Sequence, residues 1–233
     1  MRLAPLLFMQ LQDLPKAMRP REKLLTLGSQ ALTDVELLSV LLGSGLPGQS
    51  VLQLAQSLLD RFQGLAGLLH ASPEHLRSSK GLGGMARRSQ LLAVVELSRR
   101  ALLQKMRVRD IMTDPDNVKQ FLQLQLGQQQ REVFGVLFLD GQNRLLRFEE
   151  MFSGTLNQTS VYPREVVKKA LLLGACAVIF SHNHPSGEVR PSSADEKLTQ
   201  TLRTALALVD IRVLDHVIVG PGQSWSMAEH SPW

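Results

Sequence analysis

Apolar residues recur at intervals of three and four through much of the first hundred residues, which is the spacing of one buried helix face. In residues 50–62, for example, the apolar positions 51, 54, 55, 58 and 59 share one face. Thr33, with Glu36 three residues later, predicts a helix start, and Gly43 predicts the end of that helix. The pattern therefore predicts helices throughout residues 20–104.

The pattern changes after Arg131 to short apolar runs separated by turns, which is typical of strands. Asp140-Gly141 predicts the turn between the first two runs, and helices are predicted to start near Asn117, Pro163 and Ser192. The predicted strands are residues 133–139, 144–152, 175–180, 211–219 and 224–227.

The order of these elements predicts an α/β (α+β) chain with two domains. We expect an all-helical domain at residues 1–105, a linker at 106–116 and a mixed α/β domain at 117–233. The linker is suggested by Thr113-Asp114-Pro115, which is typical of a chain break between elements.

Composition is that of an ordinary water-soluble globular protein, with 44% hydrophobic and 20% charged residues. The single cysteine, Cys176, excludes internal disulfides, and its place in an apolar run predicts a buried packing residue. No apolar run is long enough for a membrane span, and residues 1–9 lack the pattern of a secretory signal. A cytoplasmic protein without membrane contact is expected.

Charge is distributed unevenly along the chain. Residues 1–110 hold 15 Lys and Arg against 8 Asp and Glu, a balance of +7, whereas residues 111–233 hold 11 against 13, a balance of −2. Such asymmetry suggests an acidic partner for the basic half, with nucleic acid the first candidate. The alternative is a solvated helical surface that happens to be rich in arginine.

Candidate metal chemistry lies where the third predicted strand ends. His182 and His184 are two residues apart, so a strand would direct both imidazoles to one side. Asp195 follows eleven residues after His184, near a predicted helix start. Two histidines and one carboxylate leave a coordination position open, as catalytic zinc sites do. The pattern predicts one zinc ion per chain.

Ser192 precedes Asp195 by three residues, which is also the spacing of a capping box at a helix start. The cap and the metal ligand are compatible, because a fixed helix start would orient the carboxylate.

A hydrolytic site also needs a base, for which the candidates are Glu132, Glu149, Glu150 and Glu165. Glu132 ranks above Glu165, since it directly precedes a strongly apolar strand.

Residues 131–227 resemble the JAB/MPN metalloprotease domain, which bears the JAMM motif. The motif is a glutamate, then His-x-His, ten residues and an aspartate, with a serine three before that aspartate. It is matched here by Glu132, His182, His184, Ser192 and Asp195. From about residue 13 to 229 the chain resembles the bacterial RadC (UPF0758) family, whose pattern includes the segments at 162–166, 181–187 and 215–216.

The resemblance implies a role for each matched residue. His182, His184 and Asp195 would hold zinc together with a water molecule, Glu132 would be the base, and Ser192 would stabilise the oxyanion. The wider JAMM family cleaves amide bonds, often isopeptide bonds to ubiquitin-like proteins. The RadC branch carries a DNA-repair name by tradition, and the resemblance leaves the peptide or protein substrate open.

A glycine-rich turn in the first half resembles a helix-hairpin-helix motif. Its backbone N–H groups, at Gly81 and Gly83, would contact a DNA phosphate without reading sequence. Lys80, Arg87 and Arg88 flank the turn and would assist. The alternative is a plain helical hairpin in which the glycines serve packing alone.

Three functions are consistent with these patterns. The first is a zinc-dependent JAMM-type hydrolase, and the second is a DNA-binding repair or recombination factor with an accessory metal domain. The third is an interaction module without catalysis, which the complete five-residue motif disfavours. Asp215 and His216 are interpreted as structural residues of the fourth predicted strand, with a second metal pair as the alternative.

Overall fold

The computed structural model describes residues 14–69, 71–127, 129–154 and 161–230. Residues 1–9, where no secretory pattern was found, lie outside the described part. The chain divides into two compact units, residues 1–96 and 97–233. Among the described residues, none of the helices combines the length and apolar character that a membrane crossing requires.

The first unit is helical, as predicted. Its helices are α1 (Pro20–Leu27), α2 (Asp34–Leu42), α3 (Val51–Arg61), α4 (Leu65–Leu69), α5 (Pro73–Arg77) and the first half of α6 (Met85–Val108). The apolar face predicted for α3 is buried, and Leu54 and Leu58 lie in a core that also contains Leu82. Burial of these faces, rather than intrinsic propensity, stabilises such short helices.

Polar caps fix where two of these helices begin. Thr33 accepts a hydrogen bond from Glu36 N while the Glu36 side chain accepts one from Thr33 N, and Gly43 follows the last residue of α2. Ser50 and Gln53 form the same reciprocal pair at the start of α3. The predicted boundaries of α2 are confirmed, because each cap satisfies backbone N–H groups that have no partner within the helix.

The boundary between the units lies inside α6, between Glu96 and Leu97. This helix continues four residues past the end of the predicted helical region 20–104, to Val108. Met106 and Ile111, both within the predicted linker 106–116, are buried in the core of the second unit. The linker interpretation rested on turn residues, which here cap a short 3-10 helix and the helix that follows.

The second unit is built on a five-stranded mixed sheet in the order β2-β1-β3-β4-β5. The strands are β1 (Val133–Leu139), β2 (Leu145–Ser153), β3 (Ala177–Asn183), β4 (Arg212–Gly220) and β5 (Gln223–Ser226). Only β3 and β4 pair in parallel, and the other neighbours are antiparallel. The helices are α7 (Pro115–Leu126), α8 (Pro163–Leu173), α9 (Ser193–Ala207) and α10 (Met227–His230).

Both faces of the central strands are covered, which explains their continuous apolar sequence. Along β1, residues 133, 137 and 139 join the core that includes residues of α7, and residues 134, 136 and 138 join the core that includes residues of α8 and α9. The same alternation along β3 puts Phe180, and therefore His182, on the α8 and α9 side.

The prediction that Cys176 is buried is wrong, because its thiol is exposed. The backbone of Cys176 does extend the sheet, since its N–H donates to Leu139 O and its C=O accepts from Arg212 N. Its neighbours Ala175 and Ala177 are buried. Cys176 lies directly before β3, and an apolar run alone does not reveal which of its residues is exposed.

Candidate metal centre

The third strand delivers both histidines, as its sequence predicted. His182 lies within β3 and His184 follows the strand end directly. His184 N donates to Val219 O on β4, which continues the sheet by one residue and keeps the two imidazoles on one side. His182 is almost fully buried, whereas the His184 side chain is 19% exposed.

The start of α9 delivers the carboxylate. Ser192 is the N-cap, and its hydroxyl accepts from Asp195 N at 3.2 Å. In return, Asp195 Oδ2 accepts from Ser192 N at 2.7 Å and from Ser192 Oγ at 2.6 Å. The predicted capping box is confirmed, and it holds the Asp195 carboxylate at a fixed position in the first turn of α9.

These three side chains converge at one point. The Nε2 atoms of His182 and His184 are 2.9 Å apart. Asp195 Oδ1 lies 3.2 Å from His182 Nε2, and Asp195 Oδ2 lies 3.7 Å from His184 Nε2. Within the described residues, they form a group whose possible ligand atoms all lie within 4.8 Å of one another. Two imidazole nitrogens and one carboxylate suit a divalent transition metal.

The Asp195 carboxylate is held in its ionised form. Burial alone would raise the pKa of Asp195, but the interaction with His182 and the hydrogen bonds from Ser192 outweigh it. The pKa of Asp195 therefore lies well below its usual range. A carboxylate that stays ionised in acid is ready to bind a cation.

Each histidine of this candidate metal centre has a hydrogen-bond partner behind it. His184 Nδ1 contacts Glu188 O, a backbone carbonyl. His182 Nδ1 lies 2.8 Å from His216 Nε2 on β4, and His216 Nδ1 lies 2.6 Å from Thr199 Oγ1 on α9. Because their Nδ1 atoms are engaged in this way, the imidazoles present Nε2 towards Asp195, and the group fits a metal ion.

His216 was not identified as part of this site from the sequence. Its side chain is completely buried, and this burial lowers the pKa of His216 well below its usual value. Asp215 points to the other face of β4, where it accepts from Ser226 Oγ and Ala228 N. The two residues therefore do not form a metal pair. The sequence did offer one signal for His216, because a histidine within a largely apolar strand is unusual.

Glu132 lies one residue before β1. Phe134, two residues later, is the register partner of His182. Continuing the alternation of β1 by one position assigns Glu132 to the face of Phe134 and His182. The Glu132 carbonyl accepts from Gly154 N, so the backbone pairing of β1 and β2 reaches this residue. Glu165, the lower-ranked candidate, is on α8, is 43% exposed and pairs with Arg164.

Asn183, between the two histidines, anchors the chain around Glu132. Its Oδ1 accepts from Val133 N at 2.8 Å, and its Nδ2 donates to the carbonyls of Gln129 and Arg131, each at 3.0 Å. Asn183 is itself buried. These three bonds fix the backbone on both sides of Glu132. No function was predicted for Asn183 from the sequence.

The glycine-rich turn of the first unit lies between α5 and α6. Gly81 has a φ of +88°, and a Cβ at this position would lie 2.5 Å from Leu54 Cδ1, so packing requires glycine here. Gly83 and Lys80 are exposed, and Arg88 is partly exposed.

Arg87 is engaged inside the first unit. Its guanidinium donates to the carbonyls of Gly81, Ser44 and Gly45 at 2.7–3.0 Å and to Ser44 Oγ at 3.0 Å. Arg87 thus joins the turn after α2 to the turn before α6. These hydrogen bonds identify a structural role that the charge pattern did not indicate.

Comparison with known sequences places these features in a family. A family profile described as RadC-like JAB domain matches residues 112–232, and one described as UPF0758 N-terminal matches residues 11–87. The chain is similar to proteins named UPF0758 protein from Variovorax paradoxus (59% identical over 221 residues) and Albidiferax ferrireducens (59% over 231). A UPF0758 protein from a Polaromonas species is 58% identical over 221 residues. Each comparison covers 95% of this chain and 98% of the relative. The chain belongs to the RadC family of UPF0758 proteins.

Proposed function

We propose that this protein is a zinc-dependent hydrolase of the JAMM type that cleaves an amide or isopeptide bond in a peptide or protein. The observation that carries the proposal is the convergence of His182, His184 and Asp195 on the sheet face to which Glu132 is assigned. The single cysteine of the sequence fits a reducing cytoplasm, where we propose that the protein acts.

The proposed reaction divides the chemistry between the metal and the protein. Zinc supplies Lewis acidity, which polarises a carbonyl and lowers the pKa of water. Glu132 would take the proton of the attacking water and later deliver it to the leaving amine. The three bonds of Asn183 support this role, because they hold the backbone around Glu132 in one position.

Ser192 would serve the site in two ways. Before reaction its hydroxyl proton is directed to Asp195 Oδ2, which orients the carboxylate. We propose that the same hydroxyl turns to the developing oxyanion when charge accumulates there, since a hydrogen-bond donor stabilises that charge. Removal of one such donor typically costs about 10²-fold to 10³-fold in kcat.

The first test compares Glu132→Gln with Glu165→Gln in the zinc-loaded full-length protein. Zinc content is measured by elemental analysis, and hydrolysis is measured on a library of fluorescence-quenched peptides. We expect Glu132→Gln to retain zinc and to lose hydrolysis by about 10²-fold to 10⁴-fold, the typical contribution of a general base. Glu165→Gln, the matched control, should retain both.

Two results would contradict the proposal. The first is wild-type protein that hydrolyses peptides equally well with and without a metal chelator. The second is full activity in Glu132→Gln with loss of activity in Glu165→Gln, which would assign the base to α8. Zinc binding without hydrolysis of any peptide would instead favour an interaction module.

A second function, non-specific DNA binding by the first unit, is favoured by the exposed Gly83 and Lys80 in the turn that precedes the 24-residue helix α6. Helix N-termini and exposed lysines bind phosphates without reading bases. The +7 balance of residues 1–110 supports the same proposal. Fluorescence anisotropy of a labelled duplex with the full-length protein tests it.

A further inference from the structure

The hydrogen bonds behind His182 have a direction that the backbone determines. Thr199 Oγ1 lies 2.6 Å from Asp195 O. A backbone carbonyl can only accept, so the single hydroxyl proton of Thr199 must point to it. Thr199 Oγ1 is then left with lone pairs alone, and it acts as an acceptor towards its other neighbour.

That neighbour is His216 Nδ1, at 2.6 Å. Since Thr199 Oγ1 accepts here, His216 Nδ1 must carry a proton and donate it. A neutral imidazole has one N–H, so His216 Nε2 is an acceptor. His216 is 0% exposed and makes edge contacts with the rings of Phe134 and Phe180, which leaves it no water as an alternative partner on those sides.

The third bond of the series joins His216 Nε2 to His182 Nδ1 at 2.8 Å. Because His216 Nε2 accepts, His182 Nδ1 carries a proton. A neutral His182 therefore keeps its Nε2 lone pair, and this atom is the one that faces His184 and Asp195. His184 reaches the same state more directly, because its Nδ1 donates to Glu188 O.

We propose that His216 and Thr199 are positioning residues that hold His182 as the Nδ1–H tautomer and so keep its Nε2 available as a metal donor. The series starts at the backbone carbonyl of Asp195 and passes through Thr199 and His216, neither of which is a proposed metal ligand. One proposed ligand, Asp195, therefore sets the tautomer of another, His182. The inference rests on the metal-binding part of the proposed function. Partners of this kind orient metal-bound histidines and raise their basicity.

Reversal of the series would block the site. If His216 carried its proton on Nε2, His182 Nδ1 would become the acceptor, and the proton of a neutral His182 would lie on Nε2. A protonated Nε2 cannot bind a metal ion. Thr199 prevents this reversal, because its own proton is committed to Asp195 O.

The test uses Thr199→Val, which has a similar shape without the hydroxyl, and Thr199→Ser, which keeps it. Zinc affinity of the full-length protein is measured by competition with a chromogenic chelator. We expect Thr199→Val to bind zinc about 10-fold to 100-fold more weakly than wild type, the usual effect of losing such a partner. Thr199→Ser should bind zinc as wild type does.

The second readout is the histidine tautomer in long-range ¹H–¹⁵N spectra of the metal-free protein above pH 8. We expect His216 to be the Nδ1–H tautomer in wild type and Thr199→Ser, and to lose that preference in Thr199→Val. A purely structural role for Thr199 would leave the tautomer unchanged. Zinc affinity should also fall more in His216→Leu than in His216→Gln, whose side-chain oxygen can still accept from His182.

The proposal is overturned if wild-type His216 carries its proton on Nε2, or if Thr199→Val binds zinc as tightly as wild type. If His216→Leu fails to fold, the comparison of Thr199→Val with Thr199→Ser still tests the proposal. If wild type binds no zinc at all, the proposed function fails, while the tautomer of His216 in the metal-free protein still tests the series separately.

Discussion

At the scale of single residues, the candidate metal centre consists of three possible ligand side chains, and each of them has a hydrogen-bond partner that holds it in place. Glu188 O fixes His184, His216 fixes His182, and Ser192 fixes Asp195. The donors are therefore preorganised before any cation arrives. Preorganisation matters because a site that must rearrange to bind metal loses part of its affinity to that rearrangement.

Removal of the imidazoles tests the donor set. The double variant His182→Ala, His184→Ala should lose all stoichiometric zinc, because Asp195 alone offers too few ligands for a protein zinc site. Elemental analysis after gel filtration gives the zinc content. His75→Ala serves as the control, since this exposed histidine lies in α5 of the first unit. Retention of one zinc per chain in the double variant would exclude this centre.

At the scale of secondary structure, Asp215 ties the end of the sheet together. It accepts from Ser226 Oγ on β5, from Ala228 N in α10 and from His216 N in its own strand. Asp215→Ala would leave three donors without their acceptor, which costs about 1–3 kcal/mol for each buried group that stays unsatisfied. Asp215→Asn keeps an acceptor for the backbone N–H groups and should destabilise the protein less. Urea denaturation of the metal-free protein measures both.

The same residue gives a pH dependence with a definite sign. Burial raises the pKa of Asp215 above its ordinary value of 3.8, although bonds from Ser226, Ala228 and His216 oppose the change. As pH rises from 3.8 through the folded-state pKa, the unfolded chain loses this proton first, and the free energy of unfolding falls.

Asp215→Asn cannot ionise, so its stability relative to wild type should increase across that pH range and stay constant above it. Urea denaturation at a series of pH values measures the difference. A relative stability that fell with rising pH would show that the carboxylate is stabilised by folding, contrary to this expectation.

At the scale of the whole molecule, the charge balance predicts that DNA binding weakens as salt increases. The plot of log K against log[salt] has a negative slope, and each phosphate that is no longer bound should reduce the magnitude of that slope by about one. Lys80→Ala, Arg88→Ala in the full-length protein should therefore weaken binding and flatten the slope. The control, Lys168→Ala, Lys197→Ala, removes the same charge from exposed positions of the second unit.

Equal effects of the two pairs would mean that net charge alone attracts DNA and that the glycine-rich turn does not touch it. Arg87 is unsuitable for this test. Its guanidinium holds two turns of the first unit together, so its loss would disturb folding as well as any phosphate binding.

Features that depend on neighbours along the chain were predictable from the sequence. The capping boxes at Thr33 and Ser192 each join residues three apart, and the strand that carries His182 is a continuous apolar run. The His-x-His spacing predicted that both imidazoles lie on one side of the sheet, because strand geometry fixes the directions of side chains two residues apart. The predicted helix start at Ser192 added Asp195 as the third possible ligand. Family resemblance added the role proposed for Glu132.

Features that depend on distant parts of the chain were decided only by the tertiary structure. His216 reaches His182 across 34 residues, Thr199 reaches His216 across 17, and Arg87 reaches Ser44 across 43. Such pairs carry no local pattern. The contacts of His216 form only when the parallel strands β3 and β4 and the helix α9 between them pack together, and the contact of Arg87 with Ser44 forms only when the turns after α2 and before α6 meet. The sequence by itself therefore determined the candidate metal-binding side chains, and tertiary packing decided which residues hold them in place.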